Sequence, residues 1–275
     1  MIPRSSPFTK REPGLRRAGA RRVVALGRAE ALLLRRNPMA LAVGLGMPLG
    51  LTAALQVGQP AAARARVDAA DSVIMLAAFA LLSVLYYNLV TALVARRQDF
   101  VLKRLRAGEL SDEEVLAGSA LPAAAVAWGQ IVIATVAGFV FFGLDAPVNP
   151  VLLVAGLILG TVVFALLAAV VATVTRSVEM AQLTAMPVLV LSAVVGVLVR
   201  TEDINGPLHV IAQALPMPRV LELLHLGFTG STSSGGSVGF TATFGHAVTP
   251  VIVLLTWAGA ARWATRRWFR WEPRG

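Results

Sequence analysis

The sequence predicts an all-α membrane protein with six transmembrane helices, and three observations carry that expectation. First, five charge-free stretches, Asn37–Ala63, Ser72–Ala95, Val115–Leu144, Ala146–Thr175 and Met180–Val199, and a shorter sixth, Phe244–Ala261, are separated by charged connections. A helix needs about 20 mostly apolar residues to cross the hydrocarbon core. Second, 56% of the 275 residues are hydrophobic, 15% are charged, and the mean hydropathy is +0.71. Soluble domains carry about 25% charged residues, so this chain has too little polar surface to cover a core in water. Third, the basic residues alternate between connections as they do in multi-pass membrane proteins.

The elements follow in chain order. Residues 1–20 are rich in Arg, Pro and Gly and are expected to be a disordered basic N-terminus. Residues 21–38 form an amphipathic pattern: Val23, Leu26, Leu33 and Leu34 share one helical face, and Arg21, Arg28, Arg35 and Arg36 lie opposite. The pattern predicts a helix lying in the membrane interface. Glu30 falls on its apolar face, either paired with a nearby Arg or buried in a contact that docks the helix on the bundle. The basic region is too long, and the first apolar run too close to span length, for a cleavable signal peptide. Spans are placed near 39–57, 73–95, 119–143, 151–174, 180–199 and 245–262, making 39–262 one transmembrane domain. Pro48, Pro122 and Pro187 lie in or near spans, where kinks are tolerated. Residues 263–275 form a basic tail, in which Trp263, Trp268 and Trp271 beside Arg266, Arg267 and Arg270 suit an interfacial anchor.

Charge sets the orientation. Segment 1–38 carries ten Lys or Arg, connection 96–118 five, Arg176 one and residues 262–275 five, which puts 21 on one side. The other side has Arg64, Arg66, Arg200 and Arg219. Positive residues favour the cytoplasm, so both termini are expected inside a plasma membrane, and an even span count agrees. The basic residues are 23 Arg and only Lys10 and Lys103. With the many Ala, Val and Gly, this composition suggests a GC-rich bacterial genome. The net charge of +10 sits between apolar runs rather than on a soluble patch, so nucleic acid is not an expected partner.

Catalytic motifs are missing. The absence of cysteine removes disulfides, thiolate metal sites and cysteine nucleophiles. There is no G-x-x-x-x-G-K-[ST] loop, H-E-x-x-H or G-x-S-x-G. His209, His225 and His246 all map to the outer side with Glu222 as the one nearby carboxylate, and solvated or interfacial histidines are expected rather than a metal site. No catalytic, cofactor or metal residue is assigned. No charged residue falls inside a predicted span, apart from Arg262 at the very end of the sixth, which argues against a proton-driven antiporter and a charged-filter channel. Among the uncharged polar residues at membrane depth, Gln130 beside Trp128 is the best pathway candidate, followed by Asn88 and Gln182. The competing role is interhelical hydrogen bonding.

The connection between spans two and three carries more information. Gly108 is a C-terminal stop for a short helix beginning near Arg97, and Ser111 with Glu114 forms a capping box for the next helix. The short helix, 97–107, offers Phe100, Val101, Leu102 and Leu105 as apolar contacts and Lys103, Arg104 and Arg106 as charge. It suits either docking in a groove on a soluble partner or attraction to anionic lipid. Between spans five and six, Pro207–Phe228 is apolar and broken by Pro216 and Pro218, which suggests two short helices dipping back into the outer leaflet. Thr229–Thr243 is Gly/Ser/Thr-rich.

These segments together resemble the membrane subunits of ABC-2-type (type V) ABC exporters, in particular actinobacterial drug and antibiotic export permeases. The resemblance rests on Arg28-Ala29-Glu30 with Arg35-Arg36-Asn37-Pro38 before span one. It rests equally on the run from Leu102-Lys103-Arg104-Leu105-Arg106 through Glu109 to Ser111, on Arg176-Ser177-Val178-Glu179-Met180-Ala181 with Pro187 and Ser192, and on Leu215-Pro216-Met217-Pro218 with Leu221-Glu222-Leu223-Leu224. It implies a non-enzymatic permease. Such a subunit pairs as a homodimer or heterodimer and is driven by a separate ATP-binding subunit that holds ATP and Mg. Phe100, Leu102, Lys103, Arg104, Leu105, Arg106 and Glu109 become the coupling residues, with help from Arg28, Glu30 and Arg35 on the interfacial helix. The expected cargo is hydrophobic or amphiphilic: a drug, an antibiotic or a lipid-like compound. The alternative is a non-transporting membrane sensor or assembly protein on the same fold. A lipid-modifying intramembrane enzyme would need an acidic or histidine cluster, and the one acidic cluster, Asp112–Glu114, is explained by capping.

Overall fold

A computed structural model describes residues 69–99, 112–141, 143–198, 207–232 and 236–268. Among them the chain forms seven helices: α1 Ala69–Gln98, α2 Asp112–Phe141, α3 Pro150–Val174, α4 Val178–Leu198, α5 Pro207–Gln213, α6 Pro216–Phe228 and α7 Phe240–Trp268. No strand occurs among the described residues, apart from an isolated bridge between Ser231 and Ser237. Five helices (α1, α2, α3, α4 and α7) are long and apolar enough to cross a membrane, and they match the second to sixth predicted spans. The first predicted span, 39–57, and the 21–38 helix lie outside the described residues, as do 1–20 and the end of the tail.

Local chemistry explains the helix ends. Asn149 caps α3: its Oδ1 accepts from the backbone N–H groups of Val151 at 3.1 Å and Leu152 at 3.2 Å, and Pro150 takes the first helical position. Ser177 opens α4 in the same way, accepting from Met180 N–H at 3.3 Å. Pro216 starts α6, and Thr229 closes it with both N–H and Oγ1 donating to His225 O. Pro122, Pro187 and Pro250 sit inside α2, α4 and α7 without ending them. Each removes one ladder bond, which neighbouring helices tolerate in a bundle.

The five long helices run alternately up and down, giving the bundle two ends. One carries Asp71, Asn149 and Thr243; the other carries Arg97, Ser119, Thr175 and Arg262. α1 is the central helix, with buried residues along its length from Ala70 to Arg97 and only Met75 and Asn88 exposed between them. Its middle, Ala80–Tyr87, is wound as a π-helix. There Tyr86 is fully buried, donates to Ala185 O of α4 at 3.2 Å and meets Phe164 of α3 edge-on. The outward faces of α2, α4 and α7 expose Val132, Ile133, Val136, Leu183, Val190 and Ile252. A water-soluble surface would not carry so continuous an apolar area.

Helix α6 is inserted between the long helices. Its Val220 lies on Gly160 of α3, where an added Cβ would sit 3.2 Å from Val220 and 3.0 Å from Leu81 of α1. One turn nearer the Asn149 end, Gly156 faces Leu223 and Leu224. Nearer still, Gly227 meets Leu153, whose backbone N would be 2.9 Å from a Cβ there. Small residues four apart on α3 therefore let α6 lie against it. Gly160 is ten residues into α3, so α6 reaches about 15 Å below that helix's start at 1.5 Å per residue. The preceding turn goes deeper: Trp257 Nε1, well along α7, donates to Ala214 O at 2.8 Å.

Candidate functional site

The residues expected to couple to a partner, Phe100, Leu102, Lys103, Arg104, Leu105, Arg106 and Glu109, lie outside the described residues, as do Arg28, Glu30 and Arg35. What the structure describes is the rim on which that segment is mounted. α1 runs unbroken through Gln98, so Arg97, expected as the first residue of a separate short helix, belongs to the last turn of the span. The physical reason is its side chain, which turns into the bundle and is 1% exposed.

The Arg97 guanidinium donates through Nη1 to Ala172 O at 2.8 Å and through Nη2 to Thr175 O. These carbonyls belong to the last turn and cap of α3, where helix carbonyls lack partners and the dipole is negative. Thr175 Oγ1 is 2.7 Å from Thr184 Oγ1 of α4. The adjacent Arg96 donates from Nη1 to Ser119 Oγ of α2 at 2.6 Å. At the same end, Glu113 Oε1 accepts from Arg262 at 2.7 Å and from Arg266, tying the start of α2 to the end of α7. That last group is half-exposed, whereas Arg97 is enclosed.

A second polar group sits where α5 meets α6. Arg219 is 8% exposed. It donates to Gln213 O at 2.7 Å, to Gln213 Oε1 at 2.9 Å and to Glu222 Oε2 at 2.6 Å. One turn further, His225 places Nδ1 2.7 Å from Leu221 O and Nε2 3.1 Å from Asp71 Oδ1 of α1. Asn149 lies at the other, C-terminal end of α6, donating from Nδ2 to Thr243 Oγ1 at 2.8 Å, while its backbone N–H donates to Gly227 O at 2.9 Å.

The three pathway candidates are not brought together by hydrogen bonds. Gln130 is fully buried in α2, with neither Oε1 nor Nε2 paired among the described residues. Asn88 is exposed on α1 and donates to Val84 O at 3.0 Å, and Gln182 is exposed on α4. Trp128, next to Gln130, donates to Thr161 Oγ1 of α3 at 3.0 Å.

Sequence reading missed three of these residues. Asn149-Pro150 carries a cap signature that would have found it. Arg219 was grouped with the outer-side charges, although its spacing to Glu222 and the flanking prolines were visible. Arg97 gave no local signal, because its acceptors lie 75 and 78 residues away.

A family profile described as ABC-2 type transporter matches residues 21–228. The chain belongs to the ABC-2 type transporter family. No curated protein and no solved structure matches it significantly. Family membership makes it a multi-pass membrane component of a transporter, in line with the five apolar helices. The matched range takes in the undescribed 21–68 and 100–111, and it ends with α6.

Proposed function

We propose that this ABC-2 chain is the permease subunit of an ATP-driven exporter that moves a hydrophobic or amphiphilic compound out of the cell, such as a drug, antibiotic or lipid-like molecule. The family match over 21–228 carries the reading. ATP and Mg are held by a separate ABC ATP-binding subunit, and two permease subunits pair as a homodimer or heterodimer. The excess of positive residues on one side supports cytoplasmic termini. The Arg97 end then faces the cytoplasm, and α5 with α6 dips into the outer leaflet between the spans, the first of which is 39–57. The preference for Arg over Lys supports a GC-rich bacterial source, and the resemblance to actinobacterial export permeases suggests that group.

In this reading the residues that follow α1, 99–107, dock on the ATPase, aided by the interfacial helix at 21–38, while Arg97 stays in the bundle. ATP binding closes the ATPases and shifts the bundle between inward- and outward-facing states. That requires the ATP-bound partner to favour one state over the other. Gln130, Asn88 and Gln182 are retained as pathway candidates.

The test is co-purification with a P-loop ATPase, sought first in the neighbouring open reading frame, followed by ATP-dependent movement of amphiphilic dyes in vesicles containing both. Joint replacement of Leu102, Leu105 and Arg106 by Ala is expected to abolish ATPase binding. Intact binding by that variant overturns the coupling assignment. Binding without ATP-dependent movement of any amphiphile points to the sensor alternative.

A further inference from the structure

We propose that Arg96 and Arg97 form a yoke that carries displacement of the coupling segment into α2, α3 and α4 together. The inference rests on the reading that residues beyond Asp99 engage an ATPase; it adds the residues through which that load enters the bundle.

Three observations carry it. The two arginines are consecutive on one helix, so their side chains leave about 100° apart and reach different neighbours. Arg96 takes Ser119 of α2, and Arg97 takes Ala172 and Thr175 at the end of α3. The Arg97 bonds are shielded from water, so a bond lost there is not replaced by solvent. A planar guanidinium also fixes two acceptors at once, which an ammonium cannot do in the same geometry. Finally, the Thr175–Thr184 hydroxyl contact extends the link to α4. The end of α1 therefore cannot shift without drawing three other spans with it. The yoke stands two residues before Asp99, where the docking segment begins.

The chain lacks cysteine, so spin labels can be placed at two chosen positions only. Gln98→Cys and Glu179→Cys are exposed on α1 and α4. In the permease alone, the distance between these labels is expected to be narrowly distributed. Arg97→Met is expected to broaden it, and Arg97→Lys to broaden it less. In vesicles holding permease and ATPase, Arg97→Met is expected to keep ATPase binding while transport per ATP falls about tenfold, within the usual range of coupling between sites. Thr184→Val, which leaves Arg97 in place, covers the case in which Arg97→Met does not fold, and it is expected to broaden the distance through α4 alone.

An unchanged label distance in Arg97→Met, or wild-type transport per ATP in it, overturns the yoke. So does an unchanged distance in Thr184→Val. If the wild type binds no ATPase, the functional reading fails instead, and the yoke is decided by the distances in the permease alone.

Discussion

At the Asn149 end of the bundle a short helix is wedged between spans, and backbone meets backbone: Asn149 N–H to Gly227 O at 2.9 Å and Val148 N–H to Phe228 O at 3.2 Å. At the Arg97 end, long side chains reach across from α1 and α7 to neighbouring helices. A wedge resists by volume and by close packing, which tolerates little change. A clasp is directional and can be exchanged for another partner. The contrast places rigidity at one end and transmissible movement at the other. It can be broken or sharpened one residue at a time.

The largest effect is expected from Arg219→Met. It leaves Glu222 and the Gln213 carbonyl without their shared donor inside the wedge. Removing one partner of a buried ion pair costs about 3–5 kcal/mol. Thermal unfolding in detergent, followed by tryptophan fluorescence, should show a strongly lowered midpoint. The double variant Arg219→Met/Glu222→Leu should recover most of it, since an apolar pair needs no desolvation. If the single variant unfolds like the wild type, the wedge is held by packing alone.

Next comes Gly227→Val. A side chain at 227 would press on Leu153 Cγ at 2.6 Å and on its backbone N. Overpacking of this kind costs about 1–3 kcal/mol. The wedge should loosen, so amide exchange should rise across 216–228 while 88–98 keeps its protection. Equal loss at both ends would show that the bundle unfolds as one unit and that the contrast is only geometric.

Asn149→Ala is smaller again. It removes a cap from α3, about 1 kcal/mol in typical cases, and the donor to Thr243 of α7. Exchange should increase in the first turn of α3 and the first turn of α7 together. An increase confined to α3 would mean that the Thr243 bond adds nothing.

These residues also show what could be read from the chain beforehand. Five spans were legible because hydropathy over about 20 residues depends on composition and not on partners. The two short helices at 207–228 were legible from Pro216 and Pro218. The depth of α6 was not, because it depends on Gly156 and Gly160 opening a groove in a helix some 60 residues earlier. Arg97 looked like the start of a cytoplasmic helix, because its neighbours Arg96, Lys103 and Arg104 are all basic. Only the folded chain brings the end of α3 to it. Gln130 was singled out for being polar at mid-span, and its complete burial was invisible in the sequence.

The smallest effect is expected from Glu113→Gln, and it bears directly on the contrast. Glu113 gathers both Arg262 and Arg266, so by count of bonds it is the strongest clasp at its end. Yet its side chain is 52% exposed, and so is that of Arg262. Exposed ion pairs contribute about 0–1 kcal/mol, because water and salt compete for the same charges and two long side chains lose freedom. The variant should therefore unfold within that range of the wild type, and raising the salt concentration should shrink the difference further. A larger, salt-independent loss would mean that the Arg97 end carries stability of its own. The bundle would then be fixed at both ends, and movement entering through α1 would have nowhere to go.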